Sequence, residues 1–515
     1  MLRSLRNSRR LITIAYTLAR EDAVFIFRDL GFLPILTRII ELLFARHQPN
    51  KTKGQKLASA LEKLGPAFIK LGQALSTRSD LIGDELAQDL SRLRDALPAF
   101  STLDAKKIIE SEFNGTLAEL YKEFSDIPVA AASIAQVHKA TTVDGKEVAV
   151  KILRPDIEKA FARDLNLFFW LAEILSANPE RARRMKPLEV VRTLKESVFF
   201  ELDLRFEAAA ASELAENISK HECGLHVPAI DWSRTSRRVL TMEWVDGISL
   251  SDVEAIRASG HDINLILTKA ATSLFLQVFK DGFFHADPHP GNLFLNKNGD
   301  LVLVDFGIMG RLDMESRIYI AEIMRGFLNE DYRHVAEVHF KAGYVPAGKS
   351  IDAFTQACMA VAKPITGKPL NEISVANLLG QMFKIATEFE METQPQLLLM
   401  QKTLMVTEGV GRMLNPKLNM WELSRPIIER WAMEQFGAAG KLKEAARESK
   451  DILYKFPHML RAVERAVNNL ADPAGVKLHP ATLANMNHNR RTQQRPWLVL
   501  GWVGVIAAIL IVLLH

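Results

Sequence analysis

Two short polar segments, each enclosed by apolar residues typical of buried strands, limit what this chain of 515 residues can fold into. The first, "FFHADPHPGNLFL" at residues 283–295, contains Asp287 and Asn292. The second, "LVLVDFGIMG" at residues 301–310, contains Asp305, which comes 18 residues after Asp287. Buried polar groups need partners, so such segments indicate a site rather than plain core. The candidates are a metal site, a nucleophilic centre and a phosphoryl-transfer loop.

The order of these side chains favours phosphoryl transfer. Protein kinases carry a catalytic-loop Asp, then an Asn, and then the Asp of an Asp-Phe-Gly sequence. In that order, Asp287 orients or deprotonates the attacking hydroxyl or water, whereas Asn292 and Asp305 offer hard oxygen ligands to Mg²⁺ beside the nucleotide phosphates. A zinc site on His285 and His289 is the main alternative for the first segment, and no further ligand cluster in the sequence supports it.

A lysine and a carboxylate are expected upstream of this pair of segments. "EVAVKIL" predicts a strand that carries Lys151, where a kinase keeps the lysine that binds the α- and β-phosphates. Its partner should be a glutamate on a following helix, and "FFELDLRFEAAAASELAEN" offers Glu201, Asp203 and Glu207. The helical pattern of this stretch predicts one continuous helix through Glu201 and Glu207.

The β-strands around Lys151 are predicted from a change of period. "DIPVAAASIAQVHKATTVDGKEVAVKIL" is typical of strand, turn and strand, with Asp144 and Gly145 as the hairpin signal. A further strand, "RVLTMEWVDG", should lead into a hinge that contacts adenine. The predicted hinge residues are Met242, Glu243 and Val245.

The loop expected over the phosphates is unusual, because alanine stands where a kinase has glycine. In "VAAASIAQV", residues 129–137, the three glycine positions hold Ala130, Ala132 and Ala135. Methyl groups restrict φ there, so the backbone should close over phosphates less tightly and nucleotide preference should differ. The predicted nucleotide-binding residues of this loop are Val129, Ala130, Ala131, Ala132, Ser133, Ile134, Ala135, Gln136 and Val137.

Helical patterns on both sides of the strands predict an α+β chain with a bilobal, protein-kinase-like fold. In the N-terminal part, Pro66 should open a helix that carries Lys70 and Gln73 on one face. After Asp-Phe-Gly, "RLDMESRIYIAEIM" continues as helix without an Ala-Pro-Glu sequence, so the usual peptide platform is missing. The expected divisions are a helical extension (1–120), an N-lobe (121–247), a mostly helical C-lobe (248–470) and a basic linker (471–496).

The two ends of the chain indicate contact with a membrane. Residues 497–514, "WLVLGWVGVIAAILIVLL", contain no charge and would span about 27 Å as a helix, so they are predicted to cross the bilayer. Arg490, Arg491 and Arg495 precede them, and the positive-inside rule then keeps the body in the cytoplasm. "MLRSLRNSRR" at the start predicts an amphipathic helix on an anionic membrane surface.

Composition narrows the partners and the compartment. A net charge of +4 on 515 residues gives little reason to expect a polyanion, and no nucleic-acid partner is predicted. Cys223 and Cys358 form neither a ligand cluster nor a framework of disulfides. Both suit a reducing compartment and are expected to be buried apolar side chains.

The chain resembles the UbiB family of atypical, protein-kinase-like proteins that support ubiquinone biosynthesis. The resemblance covers residues 55–310 and implies that Glu207 is the glutamate paired with Lys151. It is carried by "KLGQ" (70–73), "AAAS" (130–133), "VAVK" (148–151), "ELD" (201–203), "HADPHPGN" (285–292) and "DFG" (305–307). The first two are far more specific than the kinase motifs alone.

The resemblance also implies how the extension is used. A helical extension should lie over the site where a peptide would bind, with Lys70 and Gln73 projecting into the nucleotide pocket and Glu201 and Asp203 meeting the extension. Related chains can have two membrane spans, whereas this sequence has one apparent span, at residues 497–514.

The function that the resemblance implies is binding of ATP or ADP with Mg²⁺ and ATP hydrolysis tied to quinone-precursor handling. The chain would be an ATP-dependent phosphotransferase or ATPase at the inner membrane. Its partners would be anionic lipids, prenylated phenol or quinone precursors and other enzymes of ubiquinone biosynthesis. Two alternatives are a small-molecule kinase of the aminoglycoside or choline type and a nucleotide-sensing scaffold for biosynthetic enzymes at the membrane.

Overall fold

The computed structural model describes most of the chain before residue 432. The described residues are 2–25, 51–76, 82–90, 93, 97–176, 186–363, 381, 385–386, 388–391, 394–416 and 431. The predicted linker (471–496), the arginines in it and the predicted transmembrane helix (497–514) lie outside them. Among the described residues, no helix combines the length and the apolar character that a membrane crossing requires.

Helices and strands are numbered separately in chain order. The described helices are α1 (Leu2–Arg20), α2 (Lys53–Leu64), α3 (Pro66–Ser76), α4 (Asp84–Leu90), α5 (Thr102–Phe113), α6 (Leu117–Leu120), α7 (Ile157–Ser176), α8 (Pro187–Glu201), α9 (Leu204–Ile218), α10 (Val253–Ala258), α11 (Ile263–Phe275), α12 (Met314–Leu328), α13 (Tyr332–Lys341), α14 (Ile351–Ala362) and α15 (Pro395–Leu414). The strands are β1 (Tyr121–Phe124), β2 (Ala130–Ala131), β3 (Ala135–Thr142), β4 (Glu147–Leu153), β5 (Leu225–His226), β6 (Val239–Glu243), β7 (Gly247–Ser249), β8 (Phe283–His285), β9 (Leu293–Asn296), β10 (Leu301–Leu303) and β11 (Met309–Arg311).

The extension is held together by an apolar core that also includes α7 and α8. Thr52 and Gln55 form a capping box at the start of α2, and Pro66 begins α3 as predicted. Phe68 of α3 packs edge-to-face on Phe168 of α7, with ring centroids 4.9 Å apart. The extension is therefore packed onto the first long helix of the N-lobe.

Helix α1 uses one face to pack on the protein itself. Ile14 and Leu18 are buried in the core of the extension. The guanidinium of Arg10 donates to Asp164 Oδ2 at 2.8 Å and lies 5.4 Å from the ring centroid of Phe68. The opposite face exposes Ile12. In residues 10–20 of α1, this exposed face is the one available for the predicted contact with an anionic membrane surface.

The N-lobe contains a five-stranded antiparallel sheet in the order β1-β3-β4-β6, with β2 paired to β3. The predicted hairpin is confirmed, since β3 and β4 are joined by a turn in which Gly145 has φ +84°. That left-handed conformation suits glycine. Ile109 of α5 packs with Val150 and Ile152 in the core of this lobe, where all three are completely buried.

The prediction of one continuous helix through Glu201 and Glu207 is wrong. Helix α8 ends at Glu201, and α9 begins at Leu204. Asp203 lies between them with an extended backbone, and its carboxylate accepts from the backbone N–H of Arg205 at 3.2 Å. This N-cap satisfies a donor at the start of α9, so a second helix begins where the apolar periodicity predicted that the first would continue.

Short strands in the C-lobe bring the two polar segments together. β8 pairs with β11, which places Met309 opposite His285, and β9 pairs with β10, which places Leu303 opposite Leu293. β5 and β7 complete the sheet that contains β9 and β10. Because both segments run between paired strands, their loops lie side by side.

Helices follow the second polar segment, as the sequence predicts. Asp313 caps α12 by accepting from the backbone N–H of Ser316 at 2.7 Å. α13 and α14 pack around Phe354, which is completely buried, as is Cys358. α15 contacts α11 and β11, and thus lies on the C-lobe beside the strand that follows Asp-Phe-Gly.

Candidate functional site

The N-lobe sheet sets the register between the alanine-rich loop and the lysine strand. Ala130 of β2 lies opposite Val137 of β3, and Val137 lies opposite Lys151 of β4. Lys151 also lies opposite Leu240 of β6. Neighbouring strands are about 5 Å apart. The predicted phosphate loop therefore lies two strands from the predicted phosphate lysine, on the same sheet.

Lys151 joins three segments of the chain. Its ammonium Nζ donates to Glu207 Oε1 at 2.7 Å and to Oε2 at 2.9 Å, and to Asp305 Oδ1 at 3.2 Å. The side chains of Lys151 and Glu207 are 13% and 8% exposed, whereas that of Asp305 is half exposed. An ion pair this buried needs good geometry to offset its desolvation, and the bidentate contact supplies it.

The three charged groups of this centre shift one another's pKa values. The attraction of Lys151 lowers the pKa of Asp305 to about 2, and Lys70 adds to the effect. Burial alone would lower the pKa of Lys151, but Asp305 and Glu207 outweigh it and hold that pKa above its ordinary value. Burial raises the pKa of Glu207, and the neighbouring ammonium opposes this. Asp305 is thus an ionised carboxylate, available to a cation.

His285 connects the two polar loops through both nitrogens of its ring. Nε2 donates to the backbone carbonyl of Asp305 at 2.6 Å, and Nδ1 accepts from the backbone N–H of Asp287 at 3.2 Å. Burial lowers the pKa of His285, which keeps the ring neutral and preserves this tautomer. The zinc alternative required this ring as a ligand, but its nitrogens are already used within the protein.

Asp305 has an uncommon backbone conformation, with φ +63°. Residues other than glycine rarely adopt this left-handed region, and Asp and Asn tolerate it best. The hydrogen bond from His285 to its carbonyl holds it there. Strain of this kind is typical of functional sites, because it fixes the direction of a side chain.

The two candidate metal ligands fit a hard cation. The Nδ2 of Asn292 donates to the backbone carbonyl of Asp287 at 3.2 Å, which leaves Oδ1 as the oxygen that can bind a metal. The backbone N–H of Val304 donates to the carbonyl of Asn292 at 2.9 Å, so this loop is tied to the strand that leads to Asp305. One amide and one carboxylate oxygen match the ligand chemistry of Mg²⁺.

The alanine-rich loop is tied down by a residue that the sequence analysis did not select. Arg154, directly after β4, donates from Nη2 to the carbonyl of Ala132 at 2.7 Å and to that of Pro98 at 2.9 Å. The backbone N–H of Ala132 donates to the carbonyl of Ala135 at 2.7 Å. The backbone N–H of Phe100 donates to Gln136 Oε1 at 3.0 Å. The segment at residues 97–100 and the loop are therefore connected at two points.

The extension reaches the site through Lys70. Its Nζ lies 2.8 Å from Glu201 Oε2, and both side chains are largely buried. Gln73 lies one turn further along α3 and is half-buried. Asp203, which the resemblance also expected to meet the extension, caps α9. It forms an ion pair of 2.6 Å with Arg205.

The predicted hinge begins in the last two residues of β6, where the chain leaves the N-lobe sheet. Met242 is buried, Glu243 is exposed and Val245 is half-buried. The backbone N–H of Glu243 donates to the carbonyl of Ala229 at 2.8 Å, and its carboxylate accepts from His226 Nε2 at 3.0 Å. These contacts fix the backbone at the point that joins the lobes.

Lys402 of α15 is the second residue that the sequence analysis missed. Its Nζ donates to Asp287 Oδ1 at 2.8 Å. Lys402 comes 115 residues after Asp287 and belongs to no recognised motif. No local pattern in the sequence could have selected it among the other lysines.

Comparisons with known proteins show which family the chain resembles. The model of the ABC1 atypical kinase-like domain matches residues 92–339, and that of the UbiB helical domain matches residues 358–419. A protein named "Probable protein kinase UbiB" from Marinobacter nauticus is 38% identical over 496 residues, which cover 95% of this chain and 90% of the relative. A relative of the same name from Vibrio parahaemolyticus is 40% identical over 435 residues, or 83% of this chain and 80% of its own. Rv3197 of Mycobacterium tuberculosis, solved with erythromycin, is 26% identical, with a TM-score of 0.46 over 71% of this chain and 93% of its own.

Proposed function

The chain belongs to the UbiB family of atypical kinase-like proteins, and we propose that it is a membrane-anchored ATPase that supports ubiquinone biosynthesis. In this proposal it binds Mg-ATP between the alanine-rich loop and the catalytic loop. Hydrolysis is coupled to the handling of prenylated quinone precursors, and water is the phosphoryl acceptor. The missing Ala-Pro-Glu platform favours this reading over phosphorylation of a peptide.

One observation carries the proposal, which is the contact of Lys151 with both Glu207 and Asp305. A kinase-type site works only when its phosphate lysine is paired with the helix glutamate and the Asp of Asp-Phe-Gly is turned toward it. Both conditions hold here in one arrangement, since a single ammonium group bridges the two carboxylates. This arrangement supports a nucleotide-binding role for the kinase-like domain over a purely structural role.

Asn292 and Asp305 would hold Mg²⁺, which when bound supplies positive charge to the β- and γ-phosphates. Lys151 would bind the α- and β-phosphates and would be held in position by Glu207. Val129–Val137 would cover the phosphates, and Met242, Glu243 and Val245 would lie along the adenine. Lys70 and Gln73 would border the pocket from the extension.

The chemical step would use Asp287 as the base. A water oxygen forms a bond to the γ-phosphorus while Asp287 accepts one proton of that water. The bond between the γ-phosphorus and the bridging oxygen breaks, and ADP leaves with that electron pair. The products are ADP and inorganic phosphate. The neutral His285 would hold the backbone of Asp287 in place during the step.

The membrane part of the proposal rests on the sequence. The predicted helix at 497–514 and the arginines at 490, 491 and 495 would anchor the body at the cytoplasmic face of the inner membrane. Prenylated phenols partition into the bilayer, so a tethered ATPase would meet them there. Each basic residue near the surface would add about 1 kcal/mol of attraction to an anionic leaflet. Other ubiquinone-biosynthesis enzymes would be recruited to the same surface.

The test is phosphate release by the purified full chain in lipid nanodiscs. Nanodiscs of phosphatidylcholine are compared with nanodiscs that also contain phosphatidylglycerol, each with and without a prenylated phenol. We expect Mg-ATP turnover that rises with the anionic lipid and with the phenol. Asp287→Asn should reduce turnover roughly a hundredfold or more, because it removes the base.

The alternatives give different results in the same experiment. A phosphorylated phenol or amino alcohol among the products would identify a small-molecule kinase. Nucleotide binding without turnover in any lipid would identify a nucleotide-sensing scaffold. A rate of ATP turnover that changes neither with anionic lipid nor with the phenol would contradict the coupling to membrane substrates.

A further inference from the structure

Lys402 is carried by a helix outside the part of the chain that matches the kinase-like domain. Helix α15 falls within residues 358–419, which match the UbiB helical domain. Thr403, the next residue, is completely buried, and Val410 and Leu414 enter the apolar core of the C-lobe. The backbone that carries Lys402 is therefore fixed against the C-lobe.

The contact of Lys402 with Asp287 contributes little to stability. The two side chains are 38% and 36% exposed, and ion pairs with that exposure typically add less than about 1 kcal/mol. The position of the contact is more informative than its strength. It places an ammonium group on the carboxylate that, in the proposed function, must lie beside both the attacking water and the γ-phosphate.

The site contains a repeated arrangement in which a lysine is held by a carboxylate of the site. Each lysine comes from a different part of the chain, namely the extension, the N-lobe and the helical domain. The pairs are Lys70 with Glu201 at 2.8 Å, Lys151 with Glu207 at 2.7 Å and Lys402 with Asp287 at 2.8 Å. In each pair the carboxylate fixes the position of an ammonium group, which can donate to phosphate oxygens when a nucleotide is bound.

We propose that Lys402 binds the γ-phosphoryl group during its transfer, as a catalytic ligand supplied by the helical domain. The inference rests on the proposed function, because only a nucleotide in this site brings a γ-phosphate to Asp287. Before binding, Asp287 holds Nζ of Lys402 in place. With nucleotide bound, Nζ donates to γ-phosphoryl oxygens while Asp287 accepts the proton of water, and Lys402 keeps its own protons throughout.

This assignment gives the helical domain a part in the chemistry. The kinase-like domain alone would hold ATP through Lys151 and the alanine-rich loop, but the charge on the transferred group would lack one cation. A shift of α15 would withdraw Lys402 without disturbing the nucleotide contacts of the N-lobe. Turnover would then depend on the docking of α15 against α11 and β11.

The test is Lys402→Met in the full chain, measured by phosphate release and by equilibrium binding of Mg-ATP and Mg-ADP. We expect turnover to fall roughly ten- to a hundredfold, as when one donor to a transition-state oxyanion is removed. Affinity for Mg-ATP should fall relative to that for Mg-ADP, because only ATP carries the γ-phosphate. Lys402→Arg should recover part of the turnover, since guanidinium also binds phosphate.

The control is Lys363→Met, which removes another exposed lysine of the helical region. Lys363 pairs with Glu330 at 2.7 Å, away from the site, so turnover and the affinity ratio should stay unchanged. If Lys402 had a purely structural role, Lys402→Met would lower the thermal unfolding midpoint of the protein without changing the ratio of ATP to ADP affinity.

Three results would overturn the assignment. They are an unchanged affinity ratio in Lys402→Met, unchanged turnover in Lys402→Met, and increased turnover, which would identify an inhibitory contact. Absence of turnover in the unaltered chain would contradict the proposed ATPase instead. In that case the ratio of ATP to ADP affinity still decides whether Lys402 contacts the γ-phosphate.

Discussion

At the scale of single residues, the site depends on a few side chains whose backbone is held in place from outside the motif. Asp305 is held in the left-handed region by His285, and Ala132 is held by Arg154. Both supports act on backbone carbonyls. A substitution of a supporting residue that is remote in the sequence can therefore impair the motif residue that it holds.

Asp305→Asn should abolish Mg²⁺-dependent nucleotide binding and leave the fold intact. Asparagine tolerates φ +63°, so the backbone is not strained further, whereas the charge that Mg²⁺ requires is lost. The loss should amount to several kcal/mol of nucleotide binding in the presence of Mg²⁺. Titration with a fluorescent ATP analogue, with Mg²⁺ and with EDTA, measures it. Unchanged Mg-ATP affinity in the folded variant would refute the metal assignment.

Arg154→Gln should loosen the alanine-rich loop. It removes charged donors from the carbonyls of Ala132 and Pro98, at a cost of about 2 kcal/mol in the free energy of unfolding. Amide hydrogen exchange should accelerate at residues 97–100 and 130–135. Arg333→Gln is the control, since Arg333 pairs with Glu337 on the exposed side of α13. Equal exchange in these peptides for Arg154→Gln and the unaltered chain would show that the loop does not need this support.

At the scale of elements, the site depends on where helices begin and end. The break between α8 and α9 lets Glu201 reach Lys70 while Glu207 reaches Lys151. Glu207 comes six positions after Glu201, which is more than one and a half turns of a helix, and a straight helix would place the two side chains on different faces. The N-cap at Asp203 starts the second helix, and the two glutamates contact two different elements, α3 and β4.

Lys151→Ala and Glu207→Ala should impair nucleotide binding to a similar extent and non-additively. Each substitution removes the same contact between β4 and α9, so the double variant should be little worse than either single variant. A double-mutant cycle on Mg-ATP affinity measures the coupling. The matched control pairs Lys151→Ala with Glu213→Ala, because Glu213 also lies on α9 but binds Arg311. Additive effects in the first cycle would mean that the contact plays no part in nucleotide binding.

At the scale of the whole molecule, three histidines are buried in different regions of the described part of the chain. Burial lowers the pKa of His138 in the N-lobe sheet, of His285 between the polar loops and of His339 in α13. His138 donates from Nδ1 to the carbonyl of Ser125 and accepts at Nε2 from Gln136. Protonation would place a charge in each of these buried regions and would end the acceptor role of Nε2 in His138 and of Nδ1 in His285.

Stability should therefore fall as the pH decreases below about 6.5, the ordinary pKa of histidine. Below that value the unfolded chain binds protons that the folded chain does not, whereas above it neither state binds them. Each buried ring should contribute a loss of about 1.4 kcal/mol per pH unit in the free energy of unfolding. Urea midpoints between pH 8 and pH 5 measure the slope. His339→Gln should reduce the slope of stability against pH, and His226→Gln, which replaces an exposed histidine, serves as the control. Equal slopes in the two variants would show that the buried histidine does not cause the pH dependence.

The sequence by itself was sufficient for the features that depend on neighbouring residues. Mg²⁺ and phosphate need specific side chains at short spacing, so Asp287, Asn292 and Asp305 could be selected from the order of the residues alone. The hairpin at Gly145 and the helix that begins at Pro66 also follow from local backbone preferences. The same motifs predicted the family, and the comparisons confirm it.

The tertiary structure alone decided which distant groups meet. Lys402 reaches Asp287 across 115 residues, and Arg154 reaches Pro98 across 56. Such contacts arise because packed helices and strands bring their side chains together in space, and no local pattern records that packing. The break at Asp203 was missed for a related reason. The apolar periodicity continues through Asp203 and gives no sign of the break. A short polar side chain caps a new helix only where the packing of α8 and α9 against the surrounding core allows it.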